Sequence, residues 1–213
     1  MKRLLKIASI VWCACLLLAA GAGARTLTKA ERKQAEKEIK AGHKELKKSI
    51  GKLTDEQLRW KPATERWSAA ECAEHLIVSE ELIVKLIQER IMKSPAAAEQ
   101  PAAEQAKLDA EVLMKIADRS RRAQAPAEIA PKARYATRAE LLKALDASTA
   151  SILNYVRTTQ DELRTHFLPH PALGVPLDGY QWLMVDAAHF TRHTKQIEEV
   201  KADPKFPKKQ SRY

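Results

Sequence analysis

The stretch SAAECAEHLIVSEELIVKLI, residues 68–87, decides the fold that we predict for this chain. Ser68 and Glu71 have the S-x-x-E spacing of a capping box, which places the start of a helix at Ser68. An apolar stripe at helical spacing follows and indicates a helix with one buried face. The residues of this stripe are Cys72, Leu76, Ile83 and Ile87. Pro95 disfavours helical backbone at Ser94, so we expect the helix to end there.

The same combination of a cap and an apolar stripe recurs along the chain. Thr28 with Glu31 and Thr137 with Glu140 repeat the capping box. The further long helices that we predict span residues 28–53, 137–160 and 178–204, and a shorter one spans residues 104–120. Four long amphipathic helices predict an all-α protein built as a four-helix bundle. Because residues 96–136 form a long connection, we expect a crossover between the second and third main helices. Residues 54–67 and 161–178 are predicted to be loops.

Composition supports this fold class. The chain has 213 residues, of which 6 are glycine, and it is rich in residues that favour helices over sheets. Its length predicts one domain or at most two. We place the domain at residues 25–204 and expect residues 205–213 to be a basic, disordered tail.

The first 24 residues have the features of a secretory signal peptide. A basic start precedes an apolar run over residues 7–20, and Ala22-Gly23-Ala24 resembles a cleavage site. The run is short for a membrane span, although an uncleaved N-terminal anchor remains an alternative. We therefore expect a secreted or periplasmic protein with no membrane attachment after cleavage. Loss of the leader removes Cys13 and Cys15 and leaves Cys72, which cannot form an intramolecular disulfide alone.

The net charge of +10 does not by itself indicate a nucleic-acid-binding protein. Lys and Glu alternate along residues 32–48, which is typical of a solvated helix face. No aromatic residues interleave with the basic ones and no nucleic-acid-binding motif is present, so nucleic acid is not an expected partner. A homodimer is compatible with a bundle of this size, although the sequence identifies no interface.

Three histidines are candidate metal ligands. His189 and His193 are four residues apart on a predicted helix, so their side chains lie on one face. His75 lies on the core-facing side of the second main helix, where it could supply a third nitrogen. Three imidazoles with an open position suit a catalytic metal. From spacing alone, the alternative is that these are core or surface histidines without a metal.

Two stretches resemble segments of the DinB-like superfamily. WKPATERWSAAECAEHL, residues 60–76, is similar to its W-x-P-x(4)-W-S-x-x-E-x-x-x-H-L segment. FLPHPALG at residues 167–174, followed by AHFTRHTKQI at residues 188–197, is similar to its C-terminal part. The resemblance implies a four-helix bundle that binds a divalent metal through His75, His189 and His193. It does not select among Zn, Ni, Fe and Mn, because three imidazoles suit several of them.

The resemblance implies a range of activities. The better understood members include thiol-dependent enzymes, such as maleylpyruvate isomerase and low-molecular-weight thiol S-transferases. An exported protein would not meet a reducing thiol pool, which makes thiol transfer less expected here. We therefore expect a metal-dependent enzyme of hydrolase or S-transferase type acting on a small molecule. The alternatives are a non-catalytic metal- or ligand-binding protein of the cell envelope and a bundle without metal.

Four residues near the histidines are candidates for supporting roles. Glu71 and Asp186 could each accept a hydrogen bond from a ligand imidazole and so orient it. The capping box is the alternative role for Glu71. Glu74 could act as a general base, although a surface position is the simpler expectation. Cys72 could be a thiolate ligand, and its alternative is a small core residue.

Overall fold

The computed structural model describes residues 25–120 and 124–208, which are mainly helical. The helices are α1 (Lys29–Ile50), α2 (Asp55–Arg59), α3 (Ala69–Leu86), α4 (Ala102–Ala117), α5 (Arg138–Thr158) and α6 (Gly179–Lys201). A π-helical turn, Ile87–Ile91, extends α3, and two short strands, β1 (Phe167–Pro169) and β2 (Pro176–Asp178), precede α6. The predicted leader and residues 209–213 lie outside the described residues. Within the described ranges, no helix is both long and apolar enough to cross a membrane.

The four long helices form the bundle. Helices α1 and α3 each pack against both α5 and α6, so the four enclose a shared interior. Helix α4 belongs to the connection between α3 and α5, and it lies against α6. The mainly helical fold agrees with the predicted class.

Each long helix begins at a reciprocal capping box. The capping residues are Thr28, Ser68, Thr137 and Asp178. In each box the cap side chain accepts from the backbone N–H three residues on, and that residue's side chain accepts from the cap's own N–H. Two otherwise unpaired donors are satisfied at every start, which explains why local spacing located these helices well.

The two predicted loops contain regular structure. Thr54 caps the short helix α2 through a further capping box with Gln57. Strands β1 and β2 form an antiparallel pair, which corrects the prediction of an irregular loop at residues 161–178. The turn between the strands is closed by a hydrogen bond from the Gly174 N–H to the carbonyl of His170, with Gly174 at φ +66. Glycine tolerates that left-handed conformation, so the hairpin can close between two proline-containing strands.

Residues of the predicted tail contact the body of the protein at Phe206 and Pro207. The ring of Phe206 lies edge-on to Trp60, with centroids 5.5 Å apart. The side-chain amide of Gln57 donates to the carbonyl of Pro207 over 2.7 Å. Both partners are more than a hundred residues away in sequence, so no local pattern indicated that this segment is held.

Two apolar clusters fill the bundle. One is centred on residues such as Ile39, Ile152 and Leu183, and the other contains Leu46, Leu76 and Phe190. Helices α1 and α6 approach closely at Gly42, where an added Cβ would lie 2.6 Å from the Cβ of Phe190.

A buried arginine joins several elements at one end of the bundle. Arg164 donates to Glu31 of α1, to Asp109 of α4 and to Asp178, the cap of α6. Its guanidinium carbon also lies 3.9 Å from the ring centroid of Tyr180. We call these five residues the Arg164 cluster.

Candidate metal centre

Three imidazoles from two helices meet inside the bundle. His75 is contributed by α3, and His189 and His193 lie one turn apart on α6. The Nε2 atom of His189 lies 3.0 Å from Nε2 of His75 and 2.9 Å from Nε2 of His193. In the part of the chain that the structure describes, no other His, Cys, Asp or Glu joins this group. We call these three residues the histidine centre.

The partners of the other ring nitrogens fix the tautomers. Nδ1 of His75 lies 2.7 Å from the carbonyl oxygen of Ile129, which can only accept, so this nitrogen carries the proton. Nδ1 of His193 lies 3.0 Å from Oε1 of Gln196, which also accepts from Arg119. In the neutral rings, Nε2 of both His75 and His193 therefore presents a lone pair toward His189.

This arrangement fits a metal ion. A proton on Nε2 of His189 could satisfy only one of the two facing lone pairs, whereas a cation among the three nitrogens satisfies all of them. A tetrahedral zinc ion with Zn–N bonds of 2.0–2.1 Å separates its nitrogen ligands by about 3.3 Å. The Nε2 separations of 2.9 and 3.0 Å are slightly shorter. Small ring rotations therefore suffice to admit the ion.

The surroundings favour the neutral form of the three imidazoles, which is the form that binds a metal. Burial lowers the pKa of His75 below its ordinary value. Burial lowers the pKa of His189 and His193 further, and the neighbouring imidazoles add to the effect. Because a metal binds only the neutral ring, these shifts reduce competition from protons.

An aromatic wall and a buried carboxylate complete the setting. Trp67 stacks on His193 with centroids 5.8 Å apart and lies 4.8 Å from the ring of His75. Glu74 is buried, contrary to the surface position expected for it, and accepts from the backbone N–H groups of Lys132 and Arg134. Glu74 thereby anchors the segment that carries the Ile129 carbonyl. This role was not predicted from the sequence.

The two residues predicted to orient ligands are engaged differently. Glu71 accepts from the Ser68 N–H at 2.7 Å and from Lys61 at 3.0 Å, so it serves the capping box and an ion pair. Asp186 is buried, and neither of its oxygens has a hydrogen-bond partner among the described residues. It therefore makes no hydrogen bond to His189 in this structure.

Cys72 and the three other histidines of the chain lie outside the histidine centre. Cys72 is fully buried in an apolar cluster, and burial raises the pKa of its thiol, as expected for a core residue. His43 contacts Asp146, His166 contacts the carbonyl of Ser94, and His170 rests on Trp182. The orienting partners Ile129 and Gln196 were missed, although Gln196 lies within one of the stretches that carried the family resemblance.

The model of the DinB superfamily matches residues 38–197, which is more than half of the chain. The chain belongs to the DinB superfamily. It is also 26% identical over 149 residues to the uncharacterized protein YuaE of Bacillus subtilis (strain 168). That alignment covers 70% of this chain and 86% of YuaE.

Two solved structures share the fold of this DinB superfamily member. A conserved protein from Enterococcus faecalis superposes with a TM-score of 0.54 at 14% identity, covering 83% of this chain and 96% of that one. YfiT from Bacillus subtilis superposes with a TM-score of 0.51 at 15% identity, covering 83% and 89%. YfiT is described as a probable metal-dependent hydrolase with an unusual four-helix bundle topology. At these identities the likeness establishes the fold alone.

Proposed function

We propose that this protein is a metal-dependent hydrolase of small molecules, with a divalent ion held by His75, His189 and His193. The observation that carries the proposal is the convergence of three Nε2 atoms without a fourth His, Cys, Asp or Glu among the described residues. Three protein ligands leave a position for water or substrate, whereas structural sites are usually closed by four. The description of YfiT as a probable metal-dependent hydrolase supports the same reaction class.

The bound ion would supply Lewis acidity to a water molecule and to a substrate oxygen. The protein's own contribution is to hold the ligands rigidly. The Ile129 carbonyl and the Gln196 amide fix the rings of His75 and His193, and Trp67 shields one side of both. Although its pKa is lowered by burial, the His189 side chain keeps more exposed surface than His75 or His193, so we assign the substrate's approach to its side of the centre.

Hydrolysis is favoured over thiol transfer by the burial of Cys72 and by the predicted leader. Cys72, the only cysteine in the described ranges, is fully buried, and burial raises the pKa of its thiol, which makes it a poor nucleophile. The leader predicted at residues 1–24 would also deliver the protein to a compartment without a reducing thiol pool. We propose that the mature protein acts outside the cytoplasm, in the periplasm or after secretion.

Metal analysis tests the ligand set. The protein is purified without chelator and compared with His189→Ala and with His43→Ala, which removes a histidine outside the centre. We expect about one ion per chain in the wild type and in His43→Ala, and almost none in His189→Ala. Equal metal contents in all three proteins, or none in the wild type, would contradict the proposal.

Turnover separates the enzyme from a metal-binding protein of the cell envelope. The metal-loaded wild type and His189→Ala are assayed against panels of small carboxylic esters, amides and phosphate esters. We expect at least one class to be hydrolysed by the wild type, with activity lost in the variant and after chelation. A fully loaded wild type that hydrolyses none of these classes would favour the binding role.

A further inference from the structure

A second buried polar cluster lies next to the histidine centre. Glu80 on α3 and Asp186 on α6 are 2% and 1% exposed. Asp186 precedes His189 by three residues, so the two side chains lie about one turn apart on the same helix. Carboxylates are almost never buried to this degree unless they are paired or bind a metal.

Hydroxyl groups from a third helix partly satisfy Glu80. Ser148 and Thr149 on α5 donate to its carboxylate over 2.5 and 2.8 Å. Among the described residues, these two hydroxyl groups are its hydrogen-bond donors, and no basic side chain forms an ion pair with it. The carboxylate of Glu80 is therefore hydrogen-bonded, but no cationic side chain of the described residues neutralises it.

Asp186 has no hydrogen-bond partner for its side chain among the described residues. Both of its oxygens are buried and accept no hydrogen bond from any described residue. Glu80 lies near enough to raise the pKa of Asp186, so two buried acidic groups share this part of the interior. An unpartnered buried carboxylate is costly, because it loses hydration without gaining a replacement.

Protonation alone does not resolve this arrangement. Burial raises the pKa of Glu80 to about 7, and burial together with Glu80 raises the pKa of Asp186 well above its ordinary value. A protonated Asp186 would carry an O–H donor, and neither of its oxygens has a hydrogen-bond partner among the described residues. A cation, by contrast, would satisfy oxygens of both carboxyl groups and balance their charge.

We propose that Glu80 and Asp186 bind one hard divalent cation of the Mg²⁺, Ca²⁺ or Mn²⁺ class inside the bundle, separately from the histidine centre. Carboxylate and hydroxyl oxygens are the ligands that such ions prefer, whereas imidazoles suit zinc, nickel and iron. Ser148 and Thr149 hold Glu80 in place, and Asp186 supplies the open oxygens. The protein would thus bind two kinds of ion beside adjacent turns of α6. Imidazole nitrogens would bind one, and carboxylate oxygens would bind the other.

The test loads the histidine centre with zinc and then dialyses the protein to equilibrium against Mn²⁺. Bound Mn²⁺ is counted by elemental analysis and by loss of the aqueous Mn²⁺ signal in electron paramagnetic resonance. We expect about one Mn²⁺ per chain in the wild type. The variants Glu80→Gln and Asp186→Asn should each bind at least ~10-fold more weakly, since each removes a charged oxygen ligand. Glu81→Gln, which changes the exposed neighbour of Glu80, should bind like the wild type.

His189→Ala separates this inference from the proposed function. This variant should lose zinc and keep Mn²⁺, because the substitution removes a ligand of the histidine centre and leaves Glu80 and Asp186 in place. The proposal is overturned if the wild type binds no Mn²⁺, or if Mn²⁺ binding is lost in His189→Ala and retained in Asp186→Asn. The first result would leave the pair as a proton-holding site, and the second would assign the Mn²⁺ to the imidazoles.

Thermal unfolding gives a second readout that does not depend on stoichiometry. Mn²⁺ should raise the Tm of the wild type and leave the Tm of Asp186→Asn unchanged. Without Mn²⁺, the amide variant should be at least as stable as the wild type, because it removes a buried charge that has no partner. An equal Mn²⁺-dependent shift in both proteins would exclude Asp186 as a ligand.

Discussion

The Arg164 cluster and the histidine centre are both buried and polar, yet they differ in how their groups are satisfied. In the Arg164 cluster, the guanidinium donates to three carboxylates, and each of these three acids receives at least one of its N–H groups. In the histidine centre, two lone pairs point at a third ring that can satisfy only one of them. Donors and acceptors match in the first region, whereas the second has an excess of acceptors.

The difference separates structural polar groups from ligand-binding ones. A buried network that is complete within the protein stabilises the fold and needs no further partner. A buried network with more acceptors than donors indicates a cation-binding site. Its unpaired acceptors cost free energy until a cation binds. The predictions below test this distinction, beginning with the largest expected effect.

Removing the arginine should destabilise the protein most. Arg164→Met leaves Glu31, Asp109 and Asp178 without their shared partner, and we expect a loss of about 3–5 kcal/mol in the free energy of unfolding. Urea denaturation of the metal-free protein measures it. Arg157→Met is the matched control, because Arg157 forms an exposed ion pair with Glu36 and its loss should leave the free energy of unfolding nearly unchanged. Similar losses in both variants would mean that the Arg164 cluster is no more than a surface network.

Stabilisation by metal should depend on the histidine centre and not on the Arg164 cluster. At a hundredfold excess over its Kd, zinc should raise the free energy of unfolding of the wild type by about 2.7 kcal/mol. His75→Ala should gain almost nothing, whereas Arg164→Met should retain the full increment despite its lower baseline. Paired urea titrations with and without zinc measure all three. A full increment in His75→Ala would show that zinc binds elsewhere.

Loss of an orienting group should have an intermediate effect. Gln196→Ala removes the acceptor of the His193 Nδ1–H, and we expect metal affinity to fall by about 10–100-fold. Competition with a chromophoric chelator measures the affinity. Gln34→Ala, which removes an exposed glutamine on α1, should leave the affinity unchanged. Equal affinities in the two variants would contradict an orienting role for Gln196.

The smallest effect is expected at Glu71. Because its carboxylate serves the capping box of α3, Glu71→Ala should lower the free energy of unfolding by about 1 kcal/mol. Metal affinity should not change, since His75 is oriented by Ile129. A tenfold loss of affinity would restore the sequence-based interpretation that Glu71 orients an imidazole.

The parts of the fold that sequence predicted are those determined by neighbouring residues. The boxes at Thr28 and Ser68 join residues three apart, so the start of each helix could be read directly. The helical spacing of His189 and His193 placed two imidazoles on one face for the same reason. The third ligand, His75, depended on a family resemblance, because no local pattern states which helices pack together.

The parts that were missed depend on contacts between distant segments. Glu74 meets the N–H groups of Lys132 and Arg134, which are 58 and 60 residues away. Phe206, in the predicted tail, contacts Trp60. The sequence around either residue does not indicate this contact. Asp186 was predicted to orient an imidazole, whereas in the structure neither of its oxygens has a hydrogen-bond partner among the described residues.

The hydrogen bond from His75 to the Ile129 carbonyl also has a consequence for the order of assembly. The two residues are 54 apart in sequence, and the carbonyl arrives only when the crossover is anchored on Glu74. Loop-closure entropy opposes contacts between segments this far apart in sequence, whereas the turns of a single helix are local. The tautomer of His75 is therefore fixed late in folding, and a chain still folding lacks the finished site. The ion would then bind only after the native contacts around His75 have formed.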